Sequence, residues 1–274
     1  MSCESADAWS AVAAGWARRH DQVSDSMRPV TERLLAALDP EPGDRVLEIG
    51  SGLGEVGEAI ARIVGPGGEV VLTDVAAAML EAAQERIGPL PNLRTRLADA
   101  AATGFEPASF DRAVGRFVLM LVPDPAAALA ELRRILRPGG RLAFAVWTTA
   151  PENRWGSTIG ETLLRLGLVE PPEPDAPGPF RLADPERLRS LVRDAGFGEP
   201  TLETVDIEMR YDSPDHYLEV TGDLSRSFQD ALMRLRPDET ERLREEIKAA
   251  ISPFVAAGSV AIPGRAWVVA ADAA

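Results

Sequence analysis

The chain has 274 residues, 45% hydrophobic and 26% charged, a balance that allows a large core without disulfides or structural metals. A formal net charge of −14 speaks against a nucleic-acid partner, because phosphate binding needs a basic face. One cysteine (Cys3, expected in a loose N-terminus) and two histidines offer no metal-ligand spacing, so no metal is expected. No apolar run approaches the ~18 residues of a membrane span, and no basic segment followed by an apolar one opens the chain. The expectation is a soluble protein of a reducing cytoplasm. Arg133, Arg134, Arg137 and Arg141 read as a solvated helix face.

Trp9, Val12, Ala13 and Trp16 fall at the spacing of an amphipathic helix, and a second helix is expected from about Met27 to Leu38, stopping at Asp39–Gly43. Strands then alternate with helices. Arg45–Ile49, Glu69–Thr73, Leu93–Leu97, Phe110–Gly115 and Leu142–Trp147 read as strands; Glu55–Val64, Ala76–Ile87 and Ala126–Leu136 read as helices, the last ended by Arg137-Pro138-Gly139-Gly140. Short apolar strands separated by helices of this length indicate a parallel sheet covered on both faces.

From Thr148 to Leu182 the alternation gives way to a proline-rich loop or partly helical insertion, including Pro171-Pro172-Glu173-Pro174. Asp184 as N-cap and Pro185 at the first helical position restart a helix that ends near Ala195–Gly198, and Thr201–Tyr211 reads as a strand. Two helical stripes follow, Leu224, Phe228, Ala231, Leu232 and Leu235, then Leu243, Ile247, Ala250, Ile251 and Phe254. Arg265–Ala270 is a final strand. The expected organisation is an N-terminal helical cover (1–44), a cofactor-binding core (45–147), an insertion or lid (148–183), a continuation of the core (184–211), a helical lid insertion (212–262) and a last core strand (263–274).

Chemistry concentrates where the first strand meets Gly50-Ser51-Gly52-Leu53-Gly54. Glycines let the backbone turn sharply and let a ligand approach with no Cβ in the way, and the carboxyl end of the first strand is where open α/β sheets bind nucleotides. Twenty residues after Gly54 comes Asp74, at what reads as an exposed strand end, suited to accept from both ribose hydroxyls. Gly52-Leu53-Gly54-Glu55-Val56-Gly57 also fits a dinucleotide fingerprint. Glu48 opposes that reading, since a carboxylate at the strand end repels pyrophosphate but not a cationic aminoacyl sulfonium. Asp99 ends the third strand with another acid, placed for an adenine amino group.

Glu48-Ile49-Gly50-Ser51-Gly52-Leu53-Gly54 resembles the E/D-x-G-x-G-x-G motif of class I S-adenosylmethionine-dependent methyltransferases. Phe110–Val114 is similar to their fourth-strand motif and Leu136–Leu142 to the segment before their fifth strand. Arg116-Phe117, Leu119-Met120, Pro123-Asp124-Pro125 and Trp147 resemble the ubiquinone/menaquinone-biosynthesis-type group. The similarity is strong over residues 45–147 and weaker outside them. It implies a Rossmann-like α/β fold, a seven-stranded, mostly parallel sheet with helices on both faces and an antiparallel last strand.

The resemblance also implies contacts to S-adenosylmethionine and its product S-adenosylhomocysteine. Gly50, Ser51, Gly52 and Gly54 would pack on the aminoacyl part, with Glu48 supporting its ammonium. Asp74 would hold the ribose, and Val75 would lie against the adenine. Asp99 would accept from the adenine amino group while the Ala100 N–H meets a ring nitrogen. The Arg116 carbonyl would receive the ammonium, with Phe117 beside it. Ala76–Ala78 departs from the bulkier residues often found there, leaving apolar cover to Met79.

Simpler roles stand beside these. Asp99 can be a turn cap and Glu48 a structural acid; Met120, with Leu119 and Leu121, can be core or substrate wall, and Trp9 and Trp16 can merely anchor the first helix or also border the cofactor or acceptor site. Methyl transfer is an in-line displacement driven mostly by alignment, and needs a base only when the acceptor must lose a proton; His20 and His216 are the candidates. The acceptor is expected to be an apolar small molecule, such as a secondary metabolite or quinone-like ring, methylated on O, N or C. A non-catalytic cofactor-binding regulator and an NAD-dependent oxidoreductase are the alternatives. The lid stripes could instead form a homodimer interface.

Overall fold

The computed structural model describes residues 3–173 and 175–273. Pro174, in the expected proline-rich loop, lies outside the described residues. Helix α1 (Cys3–Arg18) begins at the cysteine expected in a loose segment. Helix α2 (His20–Leu38) starts seven residues before the expected Met27, because buried Val23 and Met27 carry its apolar stripe backwards. Asp39, in the left-handed region at φ +51°, ends it.

The core runs β1 (Arg45–Glu48), α3 (Glu55–Val64), β2 (Glu69–Asp74), α4 (Ala77–Ile87), β3 (Leu93–Leu97), β4 (Phe110–Arg116), α5 (Pro125–Ile135) and β5 (Leu136–Trp147). The remainder is α6 (Arg154–Arg165), α7 (Pro185–Asp194), β6 (Thr201–Tyr211), α8 (Pro214–Leu224), α9 (Arg226–Arg234), α10 (Pro237–Ile251), β7 (Val255–Ala256) and β8 (Ser259–Asp272). The strands lie in the order β3-β2-β1-β4-β5-β8-β6, with the short β7 paired to β8. Neighbours from β3 to β5 are parallel, and β8 is antiparallel to both β5 and β6. The chain moves outward from β1 through β2 to β3, then returns to β4 on the other side of β1. That reversal opens a crevice at the carboxyl ends of β1 and β4.

Two boundaries differ from expectation for backbone reasons. Arg137–Gly140, expected as a turn, falls inside β5: Leu136 pairs with Phe110, the register shifts before Arg112, and Gly139 and Gly140 exchange 2.7 Å backbone hydrogen bonds with Ala273. The last strand is longer than Arg265–Ala270, because residues from Val260 onward pair with β6. Helix α7 is capped as expected, Asp184 accepting from the Glu186 N–H. Helix α8 was not foreseen, although Ser213 caps it, accepting from the His216 N–H, and Pro214 opens it.

The core is filled by side chains such as Phe110, Phe144, Leu47, Leu72 and Ile60, all fully buried; each stabilises the fold by about 1.5–3 kcal/mol relative to exposure. Helix α2 packs along β4, β5, β8 and β6, while α1 bridges α4 to α8 and α9. Its approach to α8 is close: a Cβ on Gly15 would lie 2.0 Å from the Asp223 carbonyl oxygen. Arg18 and Arg19 clamp the crossing through the Asp223 carboxylate at 2.5 and 2.6 Å. Phe228, Ala231, Leu243, Ile247 and Ile251 are buried in the chain's own core, so these parts of the two stripes are not available to a second copy. Among the described residues no helix is long and apolar enough to cross a membrane.

Candidate active site at the carboxyl ends of the strands

Strand β1 delivers Glu48 to the crevice. Its side chain is only 2% exposed, and its Oε2 accepts from the Gly57 N–H at 2.7 Å in the first turn of α3. Burial pushes its pKa up to about 8, against the pull of the Arg116 charge and the Gly57 hydrogen bond. The chain then turns through Gly50, Gly52 and Gly54 at φ +54°, +52° and +72°, a region glycine enters without strain. A Cβ on Gly50 would lie 2.3 Å from Val118 Cγ2, whereas one on Gly52 would meet no atom within 4 Å. The loop is braced from behind and open in front. Ser51 anchors it through its N–H to the Thr73 carbonyl at 2.9 Å, while its buried hydroxyl has no partner among the described residues. Open space at Gly52 and an orphaned hydroxyl beside it fit a ligand pressed onto the loop.

Asp74 ends β2, and the structure corrects its expected exposure: it is 7% exposed. Its two carboxylate oxygens accept from the Gly52 N–H at 3.0 Å and the Ala76 N–H at 2.9 Å. Burial raises its pKa, with those amides pulling the other way. The structure thus joins Asp74 directly to the glycine loop, and the Ala98 N–H on the Asp74 carbonyl at 3.0 Å leads on to Asp99. Asp99 Oδ1 accepts from the Ala101 N–H at 2.9 Å, shaping the turn that buries Ala100.

Val75 is half-buried. Met79 is buried in a small cluster with Val12, Ala13, Leu53 and Ala76, edged by Trp9, Trp16, Ala78 and Ala82. This accounts for the alanines at 76 and 78, where small residues let α1 lie against α4 and the loop; Ala77 is exposed. Met120 sits in the core.

At the neighbouring strand end the Arg116 guanidinium forks onto Glu55 at 2.9 and 3.0 Å and reaches Thr31 Oγ1 at 2.5 Å. Burial works to raise the Glu55 pKa, but the Arg116 fork, with His20 and Ser24 adding, holds it below the ordinary carboxylate range. Sequence reasoning used only the Arg116 backbone. No local pattern announces a contact between residues 61 positions apart. Phe117 follows at φ +60°, and its ring stacks on Trp147 with centroids 3.8 Å apart. A non-glycine residue held there is strained, and such strain clusters at functional positions.

The two histidines have different partners. His20 opens α2; Nδ1 lies 3.0 Å from Asp21 Oδ1, and its buried Nε2 has no partner among the described residues. On α8, His216 Nδ1 accepts from the Asp212 N–H at 3.1 Å and Nε2 lies 3.3 Å from Arg19 Nη1, so both ring nitrogens are engaged.

Residues 47–144 match the family described as a methyltransferase domain. The chain is 31% identical over 209 residues to the ubiquinone/menaquinone biosynthesis C-methyltransferase UbiE of Pectobacterium atrosepticum, a match taking in 70% of this chain and 82% of the relative. It is 37% identical over 180 residues to a nocamycin O-methyltransferase of Saccharothrix syringae, covering 63% and 60%. The first relatives are longer than their match, which spans only 50% to 60% of them. A phosphoethanolamine N-methyltransferase 2 of Haemonchus contortus, solved with phosphomonomethylethanolamine and S-adenosylhomocysteine, shares the fold at a TM-score of 0.54 and 19% identity, covering 88% of this chain and 52% of that one. The chain belongs to the class I S-adenosylmethionine-dependent methyltransferases of the UbiE type. S-adenosylmethionine is the cofactor of that family.

Proposed function

We propose that the protein moves a methyl group from S-adenosylmethionine to a small-molecule acceptor in a reducing cytoplasm. One observation carries the reading: a glycine loop braced at Gly50 and open at Gly52 lies between two buried carboxylates, Glu48 and Asp74. Those carboxylates suit a ligand with an ammonium at one end and a ribose diol at the other. They do not suit the pyrophosphate of a dinucleotide. The cofactor supplies an electrophilic methyl on its sulfonium.

Gly50, Ser51, Gly52 and Gly54 hold its aminoacyl part, Glu48 and the Arg116 carbonyl its ammonium, and Asp74 its ribose. Val75, Met79, Asp99 and Ala100 border the adenine, and Phe117 closes the methyl end. Of the two histidines, His20 is the better base, because Nε2 is free while both nitrogens of His216 are engaged. The acceptor, a secondary metabolite or quinone-like compound, lies between the core and the cover made by α1, α6 and α8–α10. Calorimetry with S-adenosylhomocysteine and with NAD is the test. Micromolar NAD binding with no response to the sulfur compound would overturn the reading.

A further inference from the structure

We infer that Trp16 and His20 form an acceptor subsite for a hydroxyl conjugated to a carbonyl, the indole N–H holding the carbonyl oxygen and the imidazole taking the hydroxyl proton. This rests on the methyl-transfer reading above.

Helical hydrogen bonding runs through the α1–α2 junction, from the Arg19 N–H to the Gly15 carbonyl at 3.1 Å and from the Val23 N–H to the Arg19 carbonyl at 3.0 Å. Trp16 in the last turn of α1 and His20 at the start of α2 flank Arg19 (φ −99°, ψ 8°), and with these bonds spanning the junction the two fall about one turn apart on one face. Their neighbours on that face, Val12, Ala13, Val23 and Met27, are buried apolar side chains. Within this stripe Trp16 Nε1 and His20 Nε2 are both buried and without a partner among the described residues. Buried polar atoms in folded proteins nearly always have a partner, so two orphans one turn apart point to a ligand that supplies it.

Their chemistry is complementary. An indole nitrogen can only donate. In His20 the Asp21 carboxylate fixes the proton on Nδ1, leaving the Nε2 lone pair to accept. One donor beside one acceptor matches a ligand presenting one oxygen acceptor and one O–H. Conjugation between the two makes the hydroxyl acidic enough for an imidazole to deprotonate.

The pair also lies where the methyl arrives. Trp16 edges the cluster containing Leu53 of the glycine loop, and His20 acts electrostatically on Glu55 in the first turn of α3. The charged groups around His20 are Asp21 on its own helix and Glu55 on α3, with Arg116 of β4 behind Glu55. In the step itself the hydroxyl proton passes to Nε2 while its bonding pair stays on the conjugated oxygen. That oxygen, or the carbon conjugated to it, takes the methyl, and the sulfur–carbon pair stays on sulfur. The proton then leaves to water.

The test uses 7-hydroxycoumarin, whose absorption moves to longer wavelength on ionisation, added at pH 7 to protein loaded with S-adenosylhomocysteine. Wild type is expected to bind it as the anion. His20→Gln should lose the anion band, and Trp16→Phe should keep the band but bind about tenfold more weakly, as for one lost hydrogen bond. Both variants should hold S-adenosylhomocysteine within about twofold of wild type, since neither residue is assigned to the cofactor. An unchanged band in His20→Gln overturns the subsite. The same follows if cofactor-loaded wild type binds neither 7-hydroxycoumarin nor 4-hydroxyacetophenone. Wild type that fails to bind S-adenosylhomocysteine overturns the methyl-transfer reading instead.

Discussion

The two sides of the crevice are built differently. On the β1–β2 side the buried carboxylates of Glu48 and Asp74 are already held by the backbone amides of Gly57, Gly52 and Ala76. On the α1–α2 side Trp16 and His20 each bury a polar atom that no described residue satisfies; the loop between does so only at the Ser51 hydroxyl. Groups locked by backbone amides cannot adapt, which suits a ligand that is the same in every turnover. Groups left open on a helical cover lose hydrogen-bond energy until a ligand arrives, which suits the partner that differs from one such enzyme to the next.

The rigid side can be broken from behind. Gly50→Ala puts a Cβ 2.3 Å from Val118 Cγ2 at φ +54°. Strain and overpacking together should cost about 2–5 kcal/mol of stability, read as a lower denaturant midpoint. A midpoint equal to wild type would mean that the loop is softer than described. Asp74→Ala comes next. Losing charge-assisted hydrogen bonds should weaken S-adenosylhomocysteine binding by about 1.5–3 kcal/mol in calorimetry. Because Asp74 is buried and holds two amides, the variant should also melt lower. Unchanged affinity would mean that the ribose lies elsewhere.

Glu48 sharpens the comparison through pH. Its folded pKa, about 8, stands above the ordinary 4.5, so its contribution to stability is fully present below about pH 4.5 and lost as pH rises through about 8. Glu48→Gln should flatten the stability profile across that window. A ligand ammonium would favour the ionised carboxylate, so cofactor binding near pH 7 should release up to about one proton. Calorimetry in two buffers of different ionisation enthalpy counts it, and zero release would separate Glu48 from the ammonium. The smallest effect is expected at Gly52. Alanine there meets no atom and bears only left-handed strain, about 1–2 kcal/mol. Stability should fall that little while S-adenosylhomocysteine affinity drops further; the reverse order would leave the front of the loop without a ligand.

How much of this was legible in the sequence follows the range of each interaction. Strand, glycine loop and helix lie within one stretch of chain, so α3 and β3 begin and end where periodicity puts them. The Arg116–Glu55–Thr31 cluster joins residues 61 and 85 positions apart, which no local pattern encodes. Helix α8 carried a readable cap in Ser213-Pro214 but lacked a strong apolar stripe. The burial of Asp74 goes with the glycine loop and the following turn folding onto its carboxylate at a strand end that looks open in one dimension. His20 was visible as a residue type; its unsatisfied nitrogen became visible only when the surrounding atoms were in place.

The crossing of α1 over α8 at Gly15 has a kinetic consequence. The same helix rests on Leu53 and Met79 through Val12 and Ala13 and is held to Asp223 through Gly15, Arg18 and the adjoining Arg19. A cover held on both sides would serve as a single door for two molecules. With the cofactor seated deepest against the loop, the acceptor would have to enter second and the methylated product leave first. Steady-state kinetics should then show a compulsory order, with S-adenosylhomocysteine competing against the cofactor alone.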